Sequence, residues 1–266
     1  EGPQETLTLP QNAQPALMAV SLAVMRVLAA EAGLNLGKDA RFVAGHSLGE
    51  YSALAAAGTF SVADAARLLR TRGLAMQKAV PVGVGAMAAL IGLEYDAAAA
   101  VAAEAAQSEV CQAANDNGGG QVVVSGNKAA VERAVEIAKG KGAKRAMLLP
   151  VSAPFHCALM QPAAEVMAEA LAKVQAKPPV VPVVSNVRAT ALTDPADIVE
   201  ALVAQVTGTV RWRESVAYMA AEGVTRFYEI GAGKVLSGLI KRIADGASAS
   251  AVGTPDDIAA FKAATS

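Results

Sequence analysis

Five residues, Gly45-His46-Ser47-Leu48-Gly49, constrain this chain more than any other stretch. They have the form G-x-S-x-G and join a short strand-like run, Arg41–Ala44, to a helix-like one, Glu50–Ala57. A serine at such a reversal is thrust out of the backbone, and small residues on either side let the turn close. Its hydroxyl then sits at a helix N-terminus, where free N–H groups can bind an oxyanion. The other reading of the same residues is a glycine-rich turn in which Ser47 only caps the helix.

The rest of the chain gives this turn an α/β setting. Strand and helix signals alternate, which argues for a largely parallel sheet. Pro15 is read as the opening of the first long helix. Ser61-Val-Ala-Asp64 has the form of a helix start, for a helix running to about Val80. Residues 83–152 then read as an insert: strand Ala86–Gly92, helix Tyr95–Gln107, strands Glu109–Ala114 and Gln121–Ser125, helix Lys128–Lys139 and strand Lys144–Val151. That order is βαββαβ, the ferredoxin-like motif. The main body is predicted over residues 1–82 and 153–266. Its second part is read as helix Ala163–Val174, strand Val180–Asn186, helices Asp197–Val206 and Arg213–Glu222, strand Arg226–Ile230 and helix Lys234–Ala244.

At 266 residues and 53% hydrophobic the chain can bury one large or two small cores. A net charge of -1 gives no basic field for nucleic acid. Cys111 and Cys157 make no disulfide framework and fit a reducing cytoplasm. The most apolar helix, about Ala16 to Ala32, is interrupted by Arg26 and Glu31, so no membrane span is expected. Glu1–Glu5 is acidic and polar, unlike a secretory signal, and the start at Glu rather than Met points to a processed or partial form.

Serine hydroxyls need a base beside them, and there are two histidines. His46 lies inside the serine turn, which leaves His156, just past a predicted strand end, as base. Asp194, Asp197 and Glu229 are candidate orienting carboxylates, none singled out by spacing, and a backbone carbonyl is the alternative. Arg72 lies in the middle of an apolar stripe formed by Ala65, Leu68, Leu69, Ala75, Met76 and Ala79. A cation there is costly unless it meets an anion, either a substrate carboxylate or an internal acid. Beside an acyl-transfer serine, a carboxylate-bearing acyl group is the favoured partner. Gly231-Ala-Gly233-Lys234 follows a strand but lacks a full phosphate-loop pattern and reads as a tight βα turn. Lys144, Arg145, Lys234, Lys241 and Arg242 are candidates for a basic docking surface.

Together these segments resemble the malonyl-CoA:acyl carrier protein transacylases and their polyketide-synthase relatives. The matching stretches are Gln14–Leu17, Gly45–Glu50, Arg72–Gln77, Gly85–Ala88, Asn117 with Gln121–Gly126, Pro154–His156 and Glu229–Leu236. The resemblance implies a hydrolase-like α/β body with a ferredoxin-like subdomain. It implies that Ser47 takes malonyl from malonyl-CoA and passes it to the phosphopantetheine thiol of acyl carrier protein in the cytoplasm. In this role His156 is base then acid, and Arg72 holds the malonyl carboxylate. By the same likeness the Gln205 carbonyl orients His156, Leu48 N–H is an oxyanion donor, Gln14 and Asn117 line the pocket, and bulky Phe155 goes with malonyl. No metal and no cofactor are implied beyond the coenzyme A thioester that is the substrate, and neither nucleic acid nor membrane is a partner.

The family normally begins with a strand and a Gly-Gln-Gly-rich loop that supplies a second oxyanion donor. Nothing of that kind precedes Gln14, so the expectation is a piece of a longer chain or a form slowed by roughly 10²–10³. A serine hydrolase or thioesterase with the same Ser-His pair is the rival enzyme, and an inert carrier-protein-binding module the rival class. Arg72 discriminates against the first, since a neutral acyl group has no use for a central cation.

Overall fold

Proline and capping chemistry set where the first helices start in the computed structural model, which describes residues 3–265. A single turn, α1 (Gln4–Leu7), leads into α2 (Pro10–Ala32). Pro10 fills the first position of α2, where a missing N–H is not needed, and Gly33 ends it with a left-handed φ of 69°. The helix therefore begins earlier than the expected Pro15, which lies inside it. The backbone before it explains this, because the Leu9 carbonyl already accepts from Asn12 and Ala13. Pro15 costs the helix only the bond to the Gln11 carbonyl. The extended helix has 23 residues and a mean hydropathy of 1.6 over its most apolar window, enough by length and composition to cross a membrane. The helix is thus longer than the expected Ala16–Ala32, and such a length alone is also that of a core helix. In the fold it lies along α5 and buries Met18, Leu22 and Leu28.

After α3 (Leu36–Asp39) come β1 (Val43–Ala44), the serine turn, α4 (Leu48–Ala56) and α5 (Val62–Ala79). Ser61 caps α5, its Oγ accepting from Asp64 N–H at 3.0 Å. The buried stripe of α5 is Ala65, Leu68, Leu69, Arg72, Gly73 and Met76, while Arg67, Arg70 and Lys78 face solvent. Ser61→Ala is expected to destabilise the fold by about 1 kcal/mol. Urea unfolding should show this as a lower midpoint with an unchanged slope.

The next elements are β2 (Gly85–Ile91), α6 (Tyr95–Ala106), β3 (Cys111–Asp116), β4 (Gln121–Asn127), α7 (Lys128–Gly140) and β5 (Arg145–Leu148). Their strands form one antiparallel sheet in the order β3-β4-β2-β5. Its covered face packs Leu90, Val122 and Val124 against Val101, Val131 and Ala134 of the two helices. Three successive positive φ angles at Gly118, Gly119 and Gly120 (74°, 58° and 67°) turn β3 back into β4. The β3 edge is tied to the rest of the chain by Asp116 N–H to Val210 O (2.9 Å) and Val210 N–H to Ala114 O (2.8 Å).

The chain continues with a 3-10 turn (Ala158–Met160), α8 (Gln161–Ala172), β6 (Val183–Val184), β7 (Ala191–Leu192), α9 (Pro195–Gln205) and α10 (Trp212–Ala221). It ends with β8 (Arg226–Ile230), α11 (Val235–Ile243), β9 (Ser248–Val252) and α12 (Pro255–Thr265). β6 runs parallel to β1 and antiparallel to β7, and β8 pairs in parallel with β9. The expected strand Val180–Asn186 shrinks to two residues. Pro182 has no N–H to give, and Ser185 already turns back to bond Thr190. The architecture is α/β. A continuous core of α2, α4, α5, α8 and α9 residues lies beneath the serine turn.

Candidate active site

Gly45 makes the serine turn possible. A Cβ there would fall 2.0 Å from the Gly49 carbonyl carbon and oxygen. Gly49 itself has open space around it, so only the first glycine is sterically required, which narrows the sequence expectation. Ser47 adopts φ 52° and ψ −111°, a region that L-residues avoid. Asn186 holds the turn in that shape. Its Oδ1 accepts from Ser47 N–H (2.7 Å) and its Nδ2 donates to Gly45 O (2.7 Å). The next N–H, that of Leu48, is the first of α4 and has no preceding helical carbonyl to bond.

His156 arrives from the loop after β5 and is buried, with a φ of 58°. Its Nε2 lies 2.7 Å from Ser47 Oγ and its Nδ1 2.8 Å from the Gln205 carbonyl. A carbonyl can only accept, so Nδ1 carries the proton and Nε2 is left free to accept one from serine. Burial, then the nearby Arg72 charge, lowers the imidazole pKa to about 3 and keeps it neutral. The three candidate carboxylates are engaged elsewhere. Asp194 caps α9, Asp197 pairs with Arg188, and Glu229 accepts from Leu236 and Ser237 N–H at 3.0 and 2.7 Å. The last pair of bonds also fills the helix end that a phosphate would need at Gly231–Lys234.

Arg72 is 1% exposed. Its Nη1 donates to Gln14 Oε1 (2.8 Å), and its Nη2 donates to Gln205 Oε1 (2.8 Å) and Ser47 Oγ (3.0 Å). Nε has no partner, and among the described residues no carboxylate forms an ion pair with this guanidinium. The buried acid Glu50 acts on it only at longer range, with the Gln205 amide between them, so a buried cation stands beside the serine with hydrogen-bonding capacity to spare.

Asn117, carried by the β3–β4 turn, reaches the site through its neighbour, its Oδ1 lying 2.9 Å from His46 Nε2. His46 in turn lies against Trp212 with ring centroids 5.7 Å apart. Phe155 and Leu48 are half-buried against the core beside the turn. Lys144, Arg145, Lys234, Lys241 and Arg242 are all exposed. Two residues have no site role in the sequence reading, Asn186 and Glu50. Glu50 is 2% exposed, and its Oε2 accepts from Gln205 Nε2 (2.6 Å) and Asn186 N–H (3.3 Å). Burial pushes its pKa up to about 7. Its place in the first turn of α4 gives an ordinary helix-start signal that hides this contact.

An α/β body with a serine on a strained strand-to-helix turn beside a histidine defines the class of serine acyltransferases and hydrolases. The acyl transferase domain model matches residues 1–260. The malonyl CoA-acyl carrier protein transacylase of Escherichia coli K12 is 50% identical over 260 residues, 98% of this chain and 83% of the relative. An acyl-carrier-protein S-malonyltransferase structure from Bartonella henselae is 58% identical with a TM-score of 0.96, over 100% of this chain and 84% of that one. A malonyl-transacylase solved in complex with a type II PKS acyl-carrier protein is 43% identical with a TM-score of 0.95, over 99% and 84% of the two chains. The chain belongs to the malonyl CoA-acyl carrier protein transacylase family.

Proposed function

We propose that this protein transfers malonyl from malonyl-CoA to the phosphopantetheine thiol of acyl carrier protein, a step of fatty-acid biosynthesis, through a malonyl ester on Ser47. The observation that carries the reading is the meeting of hydroxyl, imidazole and guanidinium, with Ser47 Oγ 2.7 Å from His156 Nε2 and 3.0 Å from Arg72 Nη2.

Each half of the reaction uses the same atoms. Ser47 Oγ attacks the thioester carbonyl while its proton passes to His156 Nε2. The oxyanion that forms is met by Leu48 N–H at the start of α4. The C–S bond then breaks, and the imidazolium returns its proton to the coenzyme A sulfur. In the second half the carrier thiol gives its proton to His156, attacks the ester, and leaves malonyl as the new thioester with Ser47 restored. The Gln205 carbonyl stabilises the imidazolium through Nδ1–H. Arg72 binds the free malonyl carboxylate, with Gln14 and Gln205 orienting the guanidinium. Asn117 acts by fixing His46 beside the nucleophile, and Phe155 fills the acyl end. The thioester is already activated, so the chemistry calls for no cofactor. The same reading treats residues 83–152 as a ferredoxin-like subdomain, which the strand order β3-β4-β2-β5 supports. Residues 1–82 and 153–266 are then the hydrolase-like body, and the unpaired Cys111 and Cys157 suit a cytoplasmic setting.

Brief mixing with malonyl-CoA, followed by peptide mass spectrometry, should find malonyl on Ser47, and no adduct would support an inert carrier-binding module instead. Arg72→Ala is expected to slow malonyl loading roughly tenfold to a hundredfold more than acetyl loading, the worth of hydrogen bonds to a charged group. Equal losses would favour a hydrolase for neutral acyl groups.

A further inference from the structure

One residue, through its main chain and its side chain, connects three parts of the site. The Gln205 carbonyl takes His156 Nδ1–H, its Oε1 takes Arg72, and its Nε2 donates to Glu50 Oε2, to Ser47 O (3.0 Å) and to Asn186 Oδ1 (3.3 Å). An amide can turn over and exchange its donor and acceptor ends, so something must choose between the two. Here two acceptor-only groups, the Glu50 carboxylate at 2.6 Å and the Ser47 carbonyl at 3.0 Å, lie at one end and a donor-only guanidinium at the other. The carboxylate makes the shorter, charge-assisted bond. Turned over, the amide would set N–H against N–H at Arg72 and oxygen against oxygen at Glu50.

We propose that Glu50 is a positioning residue for acyl selectivity: it fixes the Gln205 amide so that Oε1 faces Arg72, and thereby sets the guanidinium where a substrate carboxylate meets it. This rests on the reading of Arg72 given under Proposed function. Glu50 touches no substrate and acts through Gln205. The groups facing its carboxylate are Arg72 from α5, Tyr51 from its own helix, Ser185 and Asn186 from the segment after β6, and Gln205 from α9. His156 lies one step further, on the Gln205 carbonyl. With its pKa pushed up to about 7, Glu50 gains a proton in the weakly acid range. A protonated carboxyl can donate as well as accept, which removes its preference for one amide orientation. Keeping a buried carboxylate here is a cost in stability that a function in orientation would explain.

The test compares single-turnover loading of Ser47 from malonyl-CoA and from acetyl-CoA, with rates normalised to titrated active sites. Glu50→Leu is expected to lower the malonyl-to-acetyl rate ratio about tenfold or more. Glu50→Gln, which like the protonated acid can offer Gln205 either a donor or an acceptor, should show the parent's low-pH ratio at every pH. Equal losses for both acyl groups in Glu50→Leu would mean a merely structural role and overturn the proposal. If Glu50→Leu does not fold, pH decides. The parent's ratio should fall between about pH 8 and pH 6, and Glu50→Gln should be flat over that range. A flat parent profile, or the same fall in both, overturns the proposal. Arg72→Ala, run in parallel, separates the two inferences. If it leaves the ratio unchanged, the reading of Arg72 fails. If it shifts the ratio and the Glu50 variants do not, only the present inference fails.

Discussion

His156→Ala is expected to slow acylation of Ser47 by roughly three orders of magnitude, measured as the rate of adduct formation in a rapid-quench experiment. The size follows from the absence of a substitute. The other imidazole, His46, has its Nε2 committed to Asn117 at 2.9 Å. The nearby carboxylate, Glu50, is bonded to Gln205 and Asn186. Removing the base therefore leaves the hydroxyl with only water as a proton acceptor. The parent enzyme should also show an unusual acid side. An ordinary histidine loses basicity below pH 6.5, but burial and the Arg72 charge lower this one to about 3. Acetyl loading, which does not depend on carboxylate recognition, should stay level from about pH 8 down to about pH 5. A fall centred near pH 6.5 would show an imidazole in contact with water and would undo this account of the base.

Gly45→Ala is expected to abolish acylation and to destabilise the fold by about 3 kcal/mol or more. The added methyl would lie 2.0 Å from the Gly49 carbonyl atoms and 2.6 Å from Glu50 N. These are backbone atoms, so no side-chain rotation relieves the clash, and the start of α4 has to move. Movement there breaks the Asn186 bonds that hold Ser47 at its positive φ. Gly49→Ala is the control, since a Cβ at that position meets nothing within 4 Å. Urea midpoints and adduct yields for the two variants should differ widely. Similar losses in both would mean that the turn tolerates no side chain at all, rather than being blocked at one point.

The residues that announce themselves in the sequence are those whose role shows locally. Ser47 sits in a five-residue pattern, Arg72 breaks an apolar stripe, and His156 is isolated by the scarcity of histidine. The structure brings these three together from α4, α5 and the loop after β5. Asn186 and Glu50 could not be found that way, because their meaning lies in contacts with residues 136 to 155 positions away. Gln205 carries no local signal either, and only the family resemblance points to it. The alternation of elements between residues 85 and 148 is readable because turns, most of them marked by glycine, separate them. β9 and α12 are not, since Ser248–Val252 is short and built largely of serine and alanine, which suit strand, helix or loop alike. Prolines shortened the expected strand at Val180–Asn186, an effect that composition alone did not weigh against its valines.

A side chain at position 73 would begin 2.5 Å from the Gln11 backbone, so two long rods of the body touch there with nothing between them. Gln14 extends from one rod three residues from the point of contact, and Arg72 from the other, one residue from it. The distance between amide and guanidinium is thus gauged by main chain against main chain, and the site's tolerance for error is thinner than a single methyl group.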